Sequence, residues 1–139
     1  MNSILRISDA AVLALHACIL LAKRPCEPQS VQGLADRLGV SAAHLSKVLQ
    51  RLVRAGVLIS RRGPGGGFLL ADRAARIRLL KIYEIIEGKP RFDECLLGKM
   101  RCRPGTCLLG DFLHRTALEL GKMLSVTLAV AAGRASLGE

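Results

Sequence analysis

Residues 31–50, VQGLADRLGVSAAHLSKVLQ, contain two short helical patterns of apolar residues separated by a glycine. Ser30 and Ser41 each precede one pattern, and serine is a favoured residue at the N-cap of a helix. Gly39 ends the first pattern and permits a tight turn before the second. The segment therefore predicts a helix-turn-helix, a motif that can place its second helix in the major groove of DNA.

The sequence on either side of this motif predicts further helices and one β-hairpin. An apolar helix begins at Ser8 and ends before Pro25, because proline disfavours helical geometry in the residue that precedes it. Residues 91–106 contain glycine and proline and are expected to form a loop. The predicted elements are helices over 8–23, 30–38, 41–55, 76–86 and 107–132 and strands over 57–60 and 68–71. The predicted fold class is therefore mainly α with a two-stranded hairpin.

Positive charge is concentrated in and after the helix-turn-helix. The chain of 139 residues has 21 Lys plus Arg against 11 Asp plus Glu, which gives a net charge of +10. Residues 37–71 contain no acidic residue, and Lys47, Arg51 and Arg54 recur at the spacing of one helical face. Such a stripe is usually a solvated surface, but the basic hairpin that follows it favours contact with phosphates. The sequence therefore predicts a nucleic-acid-binding surface.

The hairpin contains the sequence RRGPGGGF at residues 61–68. Its glycines cost backbone entropy, but they allow the main chain to lie flat against a surface such as a DNA groove. A nucleotide-binding loop is the competing interpretation, and it is disfavoured because no Gly-Lys-Ser/Thr follows and no helix begins there. We expect Arg61 and Arg62 to bind phosphates or the minor groove, with Gly65 and Gly66 against the DNA.

The composition excludes several other classes of protein. Half of the residues are hydrophobic and only 3% are aromatic, which predicts an aliphatic core and excludes disorder. The longest apolar stretch, residues 10–22, is shorter than the roughly 20 residues that cross a membrane. Asp9 before it and Lys23 after it are unlike the flanks of a secretory signal. The cysteines number five and three of them are close together, which favours a reducing, cytoplasmic compartment.

With these motifs the chain resembles the Rrf2 family of bacterial winged-helix transcriptional regulators, which includes IscR-like and NsrR-like members. The resemblance rests on the helix-turn-helix, the RRGPGGGF hairpin with Leu69-Leu70-Ala71 behind it, and three cysteines ahead of a long helix. It implies a homodimer that binds a pseudo-palindromic operator in double-stranded DNA. The expected organisation is a winged helix-turn-helix domain over 1–88, a cysteine loop over 89–106, and a long dimerisation helix and tail over 107–139.

The recognition helix begins Ser41-Ala42-Ala43-His44, so its leading side chains are short. We expect Ser41, His44 and Ser46 to contact bases, and Lys47 and Arg51 to contact phosphates. Specificity would then depend in part on DNA shape. The last predicted helix has more apolar surface than one small domain needs to bury, and part of it is expected to meet a second chain in the dimer. Its apolar residues are Leu109, Phe112, Leu113, Leu120, Met123, Leu124, Leu128 and Ala129.

Cys95, Cys102 and Cys107 form the candidate metal site. Six and four residues separate them, which is too wide for the paired Cys-x-x-Cys knuckles of structural zinc. Three thiolates near basic side chains suit an iron-sulfur cluster, either 2Fe-2S or 4Fe-4S. The spacing usual in the family is five and five, so the cluster type stays open. The alternatives are a zinc site and a metal-free regulator that responds to thiol oxidation or to a protein partner.

A fourth ligand must also be assigned. IscR-like members place a histidine three residues after the third cysteine, a position that Gly110 occupies here. NsrR-like members use an aspartate at the start of the first helix of the other subunit, and Asp9 matches that position. Asp9 can equally be an acid that stabilises the first helical turn. His114 is a weaker candidate, and Cys18 is expected to be a core residue.

The sequence disfavours two other classes of function, an enzyme and a structural protein that coats nucleic acid. An enzyme is disfavoured because the three histidines are far apart and no nucleophile elbow, paired-carboxylate motif or cofactor loop occurs. A structural protein that coats nucleic acid would need only the basic charge, whereas the helix-turn-helix and hairpin favour discrete sites. The sequence therefore predicts a sequence-specific DNA-binding regulator, and the resemblance implies that it senses redox state, nitric oxide or iron through an iron-sulfur cluster.

Overall fold

The computed structural model describes residues 7–90 and 109–136, and this part of the chain contains six α-helices and one two-stranded antiparallel sheet. The mainly α winged helix-turn-helix fold is confirmed. The cysteine cluster and most of the predicted cysteine loop lie outside the described residues. The elements in chain order are α1 (Asp9–Lys23), α2 (Val31–Leu38), α3 (Ala42–Arg54), β1 (Leu58–Arg61), β2 (Gly67–Leu70), a 3-10 turn (Ala74–Arg76), α4 (Leu79–Glu87), α5 (Gly110–Leu124) and α6 (Leu128–Arg134).

The three serine caps that the sequence predicts are present. The Oγ atoms of Ser8, Ser30 and Ser41 accept hydrogen bonds from the backbone N–H groups three residues later, at 3.3, 3.0 and 3.4 Å. Each bond satisfies one of the N–H groups that the first turn of a helix leaves without a partner. Gly39 ends α2 with φ +66°, the left-handed conformation that fits the tight turn. These local rules place the first three helices within a residue or two of their predicted bounds.

Helix α1 lies at the centre of the domain and contacts α3, α4, α6 and β2. Ala11, Ala14 and Ala17 on this helix are fully buried, and their small side chains allow neighbouring helices to approach closely. Leu20 and Leu21 extend the same buried surface toward the wing. The core is therefore aliphatic, as the composition predicts.

The wing, which comprises β1, β2 and the turn 62–66 between them, begins one residue later than predicted. Its strands pair from Leu58 with Leu70 to Arg61 with Gly67. Val57 is absent from β1 because its N–H closes the end of α3 by bonding to Leu52 O at 3.0 Å. This is the six-to-one bond of a helix terminus, and it uses the residue that the sequence assigned to the strand.

Two helix predictions are wrong, and one backbone contact explains both. Arg78 and Thr127 form an isolated antiparallel bridge, flanked by bonds from Leu79 N to Val126 O and from Leu128 N to Ile77 O, each 2.9 Å long. Extended backbone at residues 77–78 delays α4 to Leu79 instead of residue 76. The same pairing interrupts the predicted 107–132 helix and separates α5 from α6, which Thr127 caps.

Helix α6 folds back onto α1 of its own chain. Of the apolar residues from which the dimer surface is expected, Leu120, Leu124 and Leu128 are buried in the core of this domain. None of the described helices is both long enough and apolar enough to span a membrane.

We expect Leu128→Ala to lower the free energy of unfolding by about 2–5 kcal/mol, because it leaves a cavity beside α1. Val130 on the same helix is 44% exposed, so Val130→Ala is the matched control and should change stability by less than about 0.5 kcal/mol. Urea denaturation at several protein concentrations measures both. Equal, small effects would contradict the burial of Leu128 within its own chain.

Candidate nucleic-acid interface

Helix α3 presents an apolar face to the core and a polar face to solvent. The predicted contact residues Ser41, His44 and Lys47 are exposed, whereas Ser46 is half-buried. The buried positions of the helix are Leu45, Val48, Leu49 and Leu52. The core residues therefore fix the rotation of α3 and leave the predicted contact side chains at its N-terminal end open to a ligand.

Ser41 has a structural role in addition to its predicted contact with bases. Its Oγ accepts the hydrogen bond from His44 N at 3.4 Å, which occupies one lone pair and leaves the hydroxyl hydrogen free to donate. The cap also fixes the backbone at the start of α3. The exposed imidazole of His44 therefore projects from an ordered first turn.

Arg51 forms hydrogen bonds within the protein, to the end of α4. Its Nη2 donates to the carbonyl oxygens of Ile85 and Ile86 in the last turn of α4, at 3.2 and 3.0 Å. A guanidinium there satisfies carbonyls that have no partner within the helix. Arg51 thus joins α3 to the end of α4, a contact across 34 positions that helical spacing alone does not reveal. Its predicted phosphate contact stays a prediction.

The wing places basic side chains beside this helix. Arg61 at the end of β1 and Arg62 in the turn are both exposed. Gly66 bends the turn back through a bond from its N–H to Gly63 O at 2.9 Å. A Cβ at residue 66 would lie 2.4 Å from Arg61 O, so the turn requires glycine there. Gly65 is exposed at the tip, whereas Gly66 is half-buried.

The wing is anchored by a residue that the sequence analysis did not identify. Gln29 and Phe68 exchange two backbone hydrogen bonds of 2.8 Å, which add one residue to the edge of the sheet. A single paired residue leaves no strand pattern in the sequence. In the sequence, Gln29 is distinguished only by its position directly before the N-cap Ser30, which does not indicate a contact with the wing.

The start of α1 contacts the end of α4. Ser8 N donates to Glu87 Oε1 at 2.9 Å, and Ser8 Oγ also contacts this carboxylate. Asp9 is exposed in the first turn of α1, where it is not needed as the N-cap because Ser8 has that role. Glu87 precedes the segment that contains the clustered cysteines by a few residues.

The remaining candidate ligands are dispersed where they can be described. Within residues 7–90 and 109–136, no three His, Cys, Asp or Glu side chains are grouped as a metal site. The predicted ligands Cys95, Cys102 and Cys107 lie outside that part of the chain, and His114 is exposed on α5. Cys18 is confirmed as a core residue because its side chain is fully buried. Burial raises the pKa of its thiol to about 12, which suppresses the reactive thiolate.

A helix-turn-helix with a polar recognition face and a basic wing beside it defines a winged-helix DNA-binding protein. The chain belongs to the Rrf2 family, described as iron-dependent transcriptional regulators, whose family model matches residues 7–132. The family consists of transcriptional regulators and not of enzymes.

Curated relatives share about a third of their aligned residues with this chain. The transcriptional regulator IscR of Serratia proteamaculans is 31% identical over 104 residues, which is 73% of this chain and 63% of that protein. The repressor NsrR of Streptomyces coelicolor is 31% identical over 93 residues, or 66% and 63% of the two chains. The regulator BadM of Rhodopseudomonas palustris is 39% identical over 83 residues, which is 60% of this chain and 53% of that protein. The chain therefore spans between about half and two thirds of these relatives.

Solved structures share the fold over a larger part of the chain. IscR of T. potens superposes with a TM-score of 0.65 at 25% identity, covering 90% of this chain and 84% of that one. CymR, described as the global cysteine regulator of B. subtilis, has a TM-score of 0.70 at 24% identity and covers 94% and 99% of the two chains. At that identity the likeness to CymR shows the fold alone.

Replacing Arg61 and Arg62 together by alanine should weaken binding to every duplex, because two phosphate contacts and their counterion release are lost. The slope of log affinity against log salt concentration should fall by about 2. Fluorescence anisotropy at several salt concentrations measures both. The double variant Arg76→Ala/Arg134→Ala, which removes the same charge elsewhere, is the control. Unchanged binding, or a loss for one sequence only, would contradict a phosphate clamp at the wing.

Proposed function

We propose that this protein regulates transcription by binding a pseudo-palindromic operator in double-stranded DNA as a homodimer. The observation that supports this most strongly is that the N-terminal end of α3 and the wing arginines are both exposed, in a stretch without acidic residues from 37 to 71. In such a dimer the two recognition helices occupy major-groove half-sites about 34 Å apart. Ser41, His44 and Ser46 contact bases, while Lys47 and the wing contact the backbone.

The exposed side of α5 supports the homodimer. Phe112 and Met123 are 60% and 51% exposed, and with Thr116 they lie at i, i+4 and i+11, on one side of the helix. Leu109, at the N-cap of α5, is exposed beside them. The stripe also contains Glu119, which is exposed at i+7 from Phe112. Large apolar side chains exposed on one helix face are typical of a protein–protein interface. Leu120 and Leu124, which the sequence also names as apolar residues of this helix, pack inward and do not belong to the stripe.

Phe112→Asp should shift the protein from dimer to monomer in sedimentation velocity, because it places a charge within the stripe. Leu118 is 51% exposed on a separate face of α5, so Leu118→Asp is the matched control and should leave the dimer intact. A wild-type monomer at micromolar concentration, or equal effects of the two variants, would contradict an interface at this stripe.

We further propose that Cys95, Cys102 and Cys107 bind an iron-sulfur cluster, with Asp9 of the other subunit as the fourth ligand. The iron-dependent description of the family and the three-thiolate donor set support this. Asp9 fits the role because it is exposed at the N-terminal end of α1 and because Ser8, rather than Asp9, forms the capping hydrogen bond. A bound cluster would supply a redox-active centre, and the carboxylate would be its more labile corner because oxygen is a harder ligand than thiolate.

Two contacts support a link from this site to the DNA. Glu87 bonds to Ser8 beside Asp9, and Arg51 of the recognition helix bonds to the last turn of α4. A change in the cluster that moves the end of α4 would therefore move α1 and α3 as well. In the dimer this alters the spacing of the recognition helices and shifts the population between two geometries.

Anaerobically purified protein should show visible absorption, iron and acid-labile sulfide. Cys102→Ala should lose all three, whereas Asp9→Ala should keep a cluster with an altered spectrum and altered reactivity toward nitric oxide. Asp72→Ala, which removes an exposed acid elsewhere, is the control.

A colourless, iron-free wild-type protein would overturn the cluster proposal and favour a metal-free regulator of the same fold. An Asp9→Ala variant with the spectrum and reactivity of the wild type would limit Asp9 to stabilising the start of α1.

A further inference from the structure

Gln29, in the loop between α1 and α2, forms hydrogen bonds to three other parts of the domain. Its main chain pairs with Phe68 of the wing through two bonds of 2.8 Å. Its side-chain Nε2 donates to Leu20 O in α1 at 3.4 Å, and its Oε1 accepts from Arg37 Nη1 of α2 at 3.1 Å. One residue therefore connects α1, α2 and strand β2 of the wing.

The wing approaches Gln29 so closely that only glycine fits beside it. A Cβ at Gly67 would lie 2.4 Å from Gln29 O, and Gly67 has φ +143°, a conformation that other residues rarely adopt. Gly67 in turn pairs with Arg61 across the sheet. Main-chain contacts therefore set the distance between the start of β2 and the loop that precedes α2.

Arg37 reaches this junction from the opposite end of α2. Its backbone belongs to the last turn of the helix, but its guanidinium bonds to the side chain of the residue that precedes the N-cap Ser30. The positive charge is therefore bonded to the residue whose main chain pairs with Phe68 of the wing. The sequence analysis counted Arg37 in the basic stretch but assigned it no contact.

The partner of Arg37 orients its charge without neutralising it. Gln29 Oε1 is a neutral amide oxygen, and it occupies one of the five guanidinium N–H donors. The adjacent carboxylate of Asp36 accepts a hydrogen bond from Gln32 Nε2 at 2.7 Å. Arg37 is exposed, so the remaining donors of a positioned fork are available for a phosphate, whose geometry a guanidinium matches.

We propose that Arg37, positioned by Gln29, binds a DNA phosphate on the strand between the groove entered by α3 and the groove reached by the wing. A protein that occupies two adjacent grooves must straddle the phosphates that separate them, and Arg37 lies where the helix-turn-helix meets the wing. The proposal rests on the DNA-binding function proposed above.

The test measures affinity for a labelled duplex of mixed sequence at several salt concentrations. Arg37→Ala should weaken binding, and the salt slope should fall by about 1, the contribution of one phosphate contact. Arg37→Lys keeps the charge but loses the fork, so it should restore the slope and only part of the affinity. Arg134→Ala removes one positive charge at an exposed position of α6, and this variant should bind as the wild type does.

Gln29→Met, which keeps every charge and the backbone bonds to Phe68, should weaken binding with an unchanged salt slope. Wild-type binding by this variant would overturn the positioning role of Gln29. Equal affinity and slope for Arg37→Ala and Arg134→Ala would overturn the phosphate contact. A wild-type protein that fails to bind any duplex would instead contradict the proposed function itself.

Discussion

The burial of α1 is the constraint on which the rest of the domain depends. This helix has no predominantly polar face, and its buried alanines allow α3, α4 and α6 to pack close around it. Close packing of aliphatic side chains supplies the main stabilisation, because the hydrophobic contribution scales with the apolar area removed from water. A rotation of α1 would displace α3 and β2, which contact it and belong to the proposed DNA-binding surface.

Two isolated backbone bridges convert this packing into a defined arrangement. The bridge between Gln29 and Phe68 holds the wing against the helix-turn-helix, and the bridge between Arg78 and Thr127 holds the start of α4 against the start of α6. Each satisfies buried or half-buried backbone groups that would otherwise need another partner. Hydrogen bonds are directional, so the bridges set angles that aliphatic packing alone leaves adjustable.

Residues of the proposed DNA-binding surface therefore also have structural roles. Ser41 caps the helix whose exposed end it shares with His44. Arg51, whose side chain the sequence assigned to a phosphate contact, stabilises the end of α4. A substitution at either residue changes the position of neighbouring contacts as well as its own. Comparing stability with the salt dependence of binding separates these two effects.

The sequence by itself determined the elements that depend on local chemistry. Serine caps, the left-handed Gly39, the apolar face of α3 and the acid-free basic stretch are all properties of a few neighbouring residues, and each predicted feature is present. The requirement for glycine in the wing was likewise visible in RRGPGGGF, although the contacts at Gly66 and Gly67 that impose it were not.

Only the tertiary structure decided where the last helical segment divides, which leucines of α5 and α6 turn inward, and how Gln29 and Arg51 connect separate elements. Residues 107–132 have a continuous helical pattern. Thr127 is an N-cap residue in the structure, but within that pattern it does not by itself predict an interruption of the helix. The interruption exists because Ile77 and Leu79, on either side of Arg78 and distant in sequence, supply backbone partners there. Contacts between distant segments depend on the whole packed chain, and helical periodicity describes only the residues within one segment.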